Sequence, residues 1–169
     1  MQGIRTWHNN PKVPTVEMVV GLGLDIGRKR VGVAISDPLG LVATGLPTLT
    51  WPQVPLALAA IVRERQPQVL VVGLPRYPDG RPSAQTRYTQ KQGDYLGRYL
   101  HLPVVYVDEI LTSWSAAQTL DRRRYRHEVD YRKAVDQRAA MLILQQWLDQ
   151  QPHSFRSGDN YGSKFPTKF

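Results

Sequence analysis

Two apolar runs separated by four residues constrain this chain more than anything else in it. Residues 18–25 (MVVGLGLD) form a nearly continuous apolar stretch, and residues 30–37 (RVGVAISD) form a second. Runs this short and rich in Val and Ile read as strands buried on both faces. The link at 26–29 contains Gly27 and is too short for a crossover, so it predicts an antiparallel hairpin. A third strand is predicted over 41–50, ended by Pro52.

After this the period changes. Residues 53–66 carry apolar positions at helical spacing, with Pro55 in the first turn, where its missing N–H costs nothing. QVLVVGLP at 68–75 is a buried strand, and the loop RYPDGRPS leads to a helix over 83–100 with Ser83 as its N-cap. PVVYVDE at 103–109 is the fifth strand. Thr112 or Ser113 caps a predicted helix running to 121; a basic connector and a last helix over 132–150 follow. Three hairpin-linked strands, then helices alternating with two more strands, predict an α/β fold. Its five-stranded mixed sheet has three antiparallel strands followed by two parallel ones and is flanked by helices. Ligand sites of such sheets lie at the carboxyl ends of the strands.

Residues 1–17 and 151–169 are polar and rich in turn formers, and read as loose tails around one domain at 18–150. Phe155, Tyr161 and Phe165 in the second tail are able to dock or stack, though a terminal segment of this composition is ordinarily loose. The chain has no cysteine, which excludes disulfides, thiolate zinc sites and a cysteine nucleophile, and suits a reducing compartment. No apolar run approaches the roughly 20 residues that span a bilayer, and the first residues lack the apolar core of a secretory signal. A cytoplasmic protein is the expectation.

Lysine and arginine number 22 against 14 acids, for a net charge of +8 and a pI near 10.0. That excess favours a polyanionic partner, because neutralised phosphates release counterions. The stretch 122–138 holds six arginines and one lysine, with Tyr125 and Tyr131 among them. Arg122, Arg123, Arg124, Arg126, Arg132 and Lys133 are the candidate nucleic-acid contacts there, joined by Lys29 and Arg30 after the first strand and by Arg76 after the fourth.

Three acids stand where structure alone explains them poorly. Asp25 ends an apolar strand, Glu109 ends the fifth strand beside Asp108, and Asp136 opens a helical face otherwise made of Ala140, Ile143, Leu144 and Trp147. A single acid at a strand end is ordinarily a turn or cap residue. Three on separate elements suggest a shared site, and carboxylates brought together need a cation to neutralise them. Hard oxygen donors suit Mg²⁺ or Mn²⁺. The scattered His8, His101, His127 and His153 offer no zinc set.

The pieces GLGLDIGRKRVGVAISDPLG, VVGLPRYPDG, VDEILTS and AVDQRAAMLILQQWLD, in this order and spacing, resemble the YqgF/RuvX family. Its members are Holliday junction resolvase-like nucleases linked to processing of the 5′ end of pre-16S ribosomal RNA. The resemblance runs from Met18 to Asp149 and implies an RNase H-like fold. It implies Asp25, Glu109 and Asp136 as the catalytic, metal-binding set, with Asp25 bridging two ions and the others each holding one side. Precursor rRNA, within pre-ribosomal particles or free, is then the expected partner, acted on by a monomer or a homodimer. The chain departs from the family in two places: Ile110 replaces the arginine of D-E-R-L-T, and Tyr77 replaces the asparagine of G-L-P-x-N-M-D-G. The first loses a cation beside Glu109, and the second shifts a polar substrate contact toward Arg76. Two further readings stay open: a DNA junction resolvase, and a non-catalytic RNA-binding assembly factor. LGLDIG also resembles the phosphate loop of sugar kinases and actin-like ATPases, but those need two such lobes.

Overall fold

The computed structural model describes residues 18–108 and 120–151. Among the described residues there are five strands and three α-helices, in the order β1 (Gly21–Ile26), β2 (Arg30–Ser36), β3 (Ala43–Thr50), α1 (Val54–Arg65), β4 (Val69–Leu74), α2 (Ala84–Leu100), β5 (Val104–Asp108) and α3 (Glu128–Asp149). The sheet order is β3-β2-β1-β4-β5, with β2 antiparallel to β1 and β3, and β4 parallel to β1 and β5. This is the RNase H-like mixed sheet expected from the hairpin-then-crossover pattern.

The period of two divides the sheet into two apolar faces. Leu22, Leu24 and Ile26 of β1, with Val31, Val33, Ile35, Leu70 and Val72, form a core under α1 and α2. The opposite face carries Ala34, Val69, Val71 and Val107 against Ala140, Ile143, Leu144 and Trp147 of α3. The last-helix stripe read from the sequence is therefore the buried face of α3. On that side β1 presents Gly21 and Gly23. A Cβ at Gly23 would meet the Leu144 Cβ at 2.7 Å and the Ala140 carbonyl oxygen at 3.1 Å, so the helix lies closer than any larger side chain allows.

Several local expectations hold for identifiable reasons. Ser83 caps α2: its Oγ accepts from the Thr86 N–H at 3.1 Å while its own N–H donates to Thr86 Oγ1 at 2.8 Å. Pro55 sits in the first turn of α1. The register of β2 on β3 slips between Val31↔Leu49 and Val33↔Leu46, so a bulge falls on the span holding Pro47, which has no N–H for the ladder. Two boundaries move. α3 begins at Glu128 instead of 132, because Glu128 and Asp130 occupy its first turn, where acids suit the helix dipole. Asp25 is not the last residue of β1: pairing with β4 stops at Leu24↔Val72, whereas pairing with β2 continues through Asp25↔Gly32 and Ile26↔Val31. Of the predicted helix ending at 121 only Leu120 and Asp121 are described, and neither is helical; the rest of it and both predicted tails, Gln151 aside, lie outside the described residues.

The β2–β3 turn is organised by Asp37, whose Oδ1 accepts from the N–H groups of Leu41 at 2.7 Å and Val42 at 2.9 Å. Burial raises its pKa, but those backbone N–H groups outweigh it and hold the carboxyl below its usual value. A depressed folded-state pKa contributes stability above the unfolded pKa that is lost as pH falls through the folded one. Asp37→Ala is therefore expected to cost about 1 kcal/mol at pH 7. In urea titrations the gap to the unaltered chain should close below about pH 4.

Candidate active site

The site is built where α3 crosses the end of the β1–β2 hairpin. Asp25 is half-buried on β1, on the face that also carries Gly21 and Gly23, and its cross-strand partner is Gly32. Gly32 in turn lies against the backbone of α3. A Cβ there would stand 2.0 Å from the Asp136 carbonyl oxygen and 3.3 Å from its Cα. With about 5.5 Å between paired strand Cα atoms, the Cα atoms of Asp25 and Asp136 are within about 10 Å of one another. Two of the three predicted acids therefore come together across a residue with no side chain. The third, Glu109, lies outside the described residues.

Asp136 is held from the sheet side. Arg30, which shares the face of Gly32 on β2, donates from Nε to Asp136 Oδ2 at 2.7 Å, with 21% and 24% of the two side chains exposed. One cation is thus already paired with Asp136, and it orients one oxygen of that carboxylate. The other oxygen, Oδ1, has no hydrogen bond among the described residues. The donors offered by Asp25 and Asp136 are hard carboxylate oxygens, which suit Mg²⁺ or Mn²⁺. Among the described residues no three His, Asp or Glu side chains converge, so any complete ligand set needs a residue outside them.

Among the described residues, five of the predicted phosphate contacts, Arg30, Arg76, Arg122, Arg124 and Arg132, lie within ion-pair distance of an acid. Arg30 and Arg76 are each committed to an acid, Arg30 to Asp136 and Arg76 through Nε to Asp108 Oδ1 at 2.7 Å. The Arg76–Asp108 pair ties the loop after β4 to the end of β5, beside position 109. Tyr77, in the same loop, is exposed. Lys29, Arg123, Arg124, Arg126 and Lys133 are exposed. Arg122, Arg123 and Arg124 form one turn of 3-10 helix, with Asp121 Oδ1 accepting from the Arg123 N–H at 3.0 Å. Arg122 lies between Glu128, at 2.8 Å, and the ring of Tyr131, 5.2 Å from its centroid. Arg132 joins the same carboxylate at 2.9 Å. Hydrogen bonds from Arg132 and Arg122 hold the Glu128 carboxyl below its usual range, which leaves this segment positively charged and locally ordered. Arg132 stands one helical turn before Asp136, so the basic segment leads directly to the acids.

Sequence reading missed Gly32. Its signal was present in RVGVAIS, a glycine in a buried strand interior, which marks a bulge or a close approach of another backbone. Arg30 was read as a phosphate contact, and no local pattern points to its partner 106 residues away.

A carboxylate pair at the end of the central strand of an RNase H-like sheet, beside a basic segment, defines the class of site. The family model described as "RuvX: Holliday junction resolvase" matches residues 19–150, and the chain belongs to that family. Proteins named "Putative pre-16S rRNA nuclease" are similar to it. The one from Synechococcus elongatus is 43% identical over 140 residues, 81% of this chain and 93% of that protein. Those from Crocosphaera subtropica and Picosynechococcus are 46% and 48% identical, covering 80% and 78% of this chain and 96% and 92% of theirs. Thermus thermophilus RuvC in complex with a Holliday junction substrate aligns over 78% of this chain and 97% of its own. Its 12% identity and TM-score of 0.47 say nothing of substrate.

Proposed function

We propose that this protein is a nuclease that hydrolyses phosphodiester bonds at the 5′ end of precursor 16S rRNA, with Asp25, Asp136 and Glu109 as its metal carboxylates. The observation that carries the reading is the meeting of Asp25 and Asp136 across Gly32. Glu109 is assigned to the set from the sequence alone, where it directly follows the apolar run and Asp108. The names of relatives more than 40% identical over most of the chain supply the substrate. No helix among the described residues is long and apolar enough to cross a membrane.

Bound Mg²⁺ or Mn²⁺ would activate a water and stabilise the leaving oxygen. The chain's own residues prepare that chemistry. Asp25 and Asp136 offer oxygen donors from a strand and a helix that cannot drift apart without breaking the core. Arg30 fixes the orientation of Asp136, and the exposed cations from Arg122 to Lys133 hold the phosphates of the strand being cut. Incubating the purified chain and Mn²⁺ with a short precursor rRNA, and with a four-way DNA junction for comparison, tests the substrate. Cleavage of the junction alone would overturn the rRNA assignment.

Arg30 gives a prediction with its own readout. Without a metal, Arg30→Met removes the guanidinium that pairs with Asp136, which should lower stability by about 1–2 kcal/mol, less than for a fully buried pair. Mn²⁺ should then raise the melting temperature of the variant more than that of the unaltered chain, because the ion takes over the lost charge. Equal shifts in the two proteins would contradict an ion at Asp136.

A further inference from the structure

Along α2 runs an aromatic and basic stripe that the acid site does not use: Tyr88 at its head is half-buried against the core, and Tyr95 and Tyr99 beyond it are exposed. Tyr88, Tyr95 and Tyr99 fall within about 40° of one another around the helix, at 100° per residue, and span about 16 Å along it. Tyr95 and Tyr99 are 41% and 45% exposed, and their rings lean together with centroids 6.1 Å apart and 32° between planes. Lys91 flanks the stripe, with Arg87 and Arg98 further round, all exposed. Asp94, the only acid of α2, is taken by the Tyr106 hydroxyl at 2.6 Å on the β5 side.

The stripe begins under the end of β1, on the sheet face opposite Asp25. Gln85 Nε2 and Thr89 Oγ1 donate to the carbonyl of Ile26, at 3.2 and 3.5 Å, so the first turns of α2 stand under the end of the strand that carries Asp25. Arg28, on the β1–β2 turn, places its guanidinium 4.7 Å from the ring centre of Tyr88. Among the described residues Arg28, Arg87 and Lys91 form no ion pair with a carboxylate. From Arg28 the path runs over Tyr88 and Lys91 to the Tyr95–Tyr99 pair. It lies on the opposite sheet face from α3 and is therefore separate from the Arg122–Lys133 segment.

We propose that this stripe is a track for single-stranded RNA, on which an unpaired flank of the substrate stacks its bases on Tyr95 and Tyr99. Its phosphates would lie along Lys91 and Arg28 on the way to the acid site. The proposal rests on the reading of the chain as an RNA nuclease and extends it to a strand geometry. Exposed rings beside unpaired cations match unpaired bases joined by phosphates. A duplex hides its base faces from such rings. A second copy of the chain would bring the cations of two stripes together with one acid each, which like-charge repulsion disfavours.

The test is fluorescence anisotropy of a labelled 12-nucleotide single-stranded RNA on the full chain, in EDTA so that binding is read apart from cleavage. Tyr95→Ala with Tyr99→Ala should weaken binding by about 30–100-fold, whereas Tyr95→Phe with Tyr99→Phe, which keeps the rings, should stay within about 3-fold of the unaltered protein. Lys91→Glu should weaken binding and reduce the salt slope by about one or more. Blunt duplex RNA should be insensitive to the alanine pair. Unchanged single-strand affinity in that pair, at an unchanged melting temperature, would overturn the track. So would a dimer, seen by sedimentation, that the pair abolishes without affecting RNA binding. Either result leaves the nuclease reading intact, since that stands or falls on cleavage in Mn²⁺.

Discussion

Asp25→Asn is expected to lower Mn²⁺- or Mg²⁺-dependent cleavage by about 10³-fold or more, while the melting temperature stays close to that of the unaltered chain. The substitution keeps the shape of the side chain and removes only its charge. The backbone of residue 25 goes on pairing with Gly32, and the β1 core residues Leu24 and Ile26 face the other way, under α1 and α2. A lost carboxylate therefore acts on the ion and the developing charge, with little effect on the fold. Isothermal titration with Mn²⁺ should show weakened binding alongside the lost rate. A variant that cleaves like the unaltered chain would remove Asp25 from the site, and with it the proposed mechanism.

Gly32→Ala is the second large effect, and it acts through geometry. The added Cβ would stand 2.0 Å from the Asp136 carbonyl oxygen and 2.5 Å from its carbonyl carbon. Both are backbone atoms in the middle of α3, so no side-chain rotation relieves the clash. The helix must lift from β2, which strains the packing of Ala140, Ile143 and Leu144 on the sheet. A cost of about 3 kcal/mol or more follows, at the upper end for overpacking. Any folded fraction should bind Mn²⁺ more weakly, because Asp136 moves away from Asp25. Urea denaturation at matched slope, with Mn²⁺ titration of the folded protein, checks both. Unchanged stability would mean that α3 does not approach β2 at this point, and the acids would not meet.

These two variants separate what local pattern and tertiary packing each supply to the site. Asp25 and Asp136 stood out as candidate acids because each interrupts an apolar period, one in a strand and one on a helix face. Ser83 and Pro55 were legible because a cap and a first-turn proline act within a few residues. Arg76 was read only as a phosphate contact, since nothing near GLPRYPDG reveals that Asp108, 32 residues on, would take its guanidinium. The start of α3 was misplaced because the charge density of RRRYRHEVDYRK hides any apolar period, whereas in the folded chain Glu128 gathers Arg122 and Arg132 into an ordered turn.

The sequence by itself determined the order of the described strands and helices, the two apolar faces of the sheet and the family, and it singled out Asp25 and Asp136 as candidate acids. These follow from period, caps and chain connectivity, all of them short-range. Only the tertiary structure decided that Asp25 and Asp136 meet across Gly32, that Arg30 serves Asp136, and that Arg28 reaches Tyr88 at the head of an exposed stripe. The physical reason is that such contacts join residues far apart in the chain. Their distances are set by how closely one helix settles on a sheet, and no local pattern of residues encodes that.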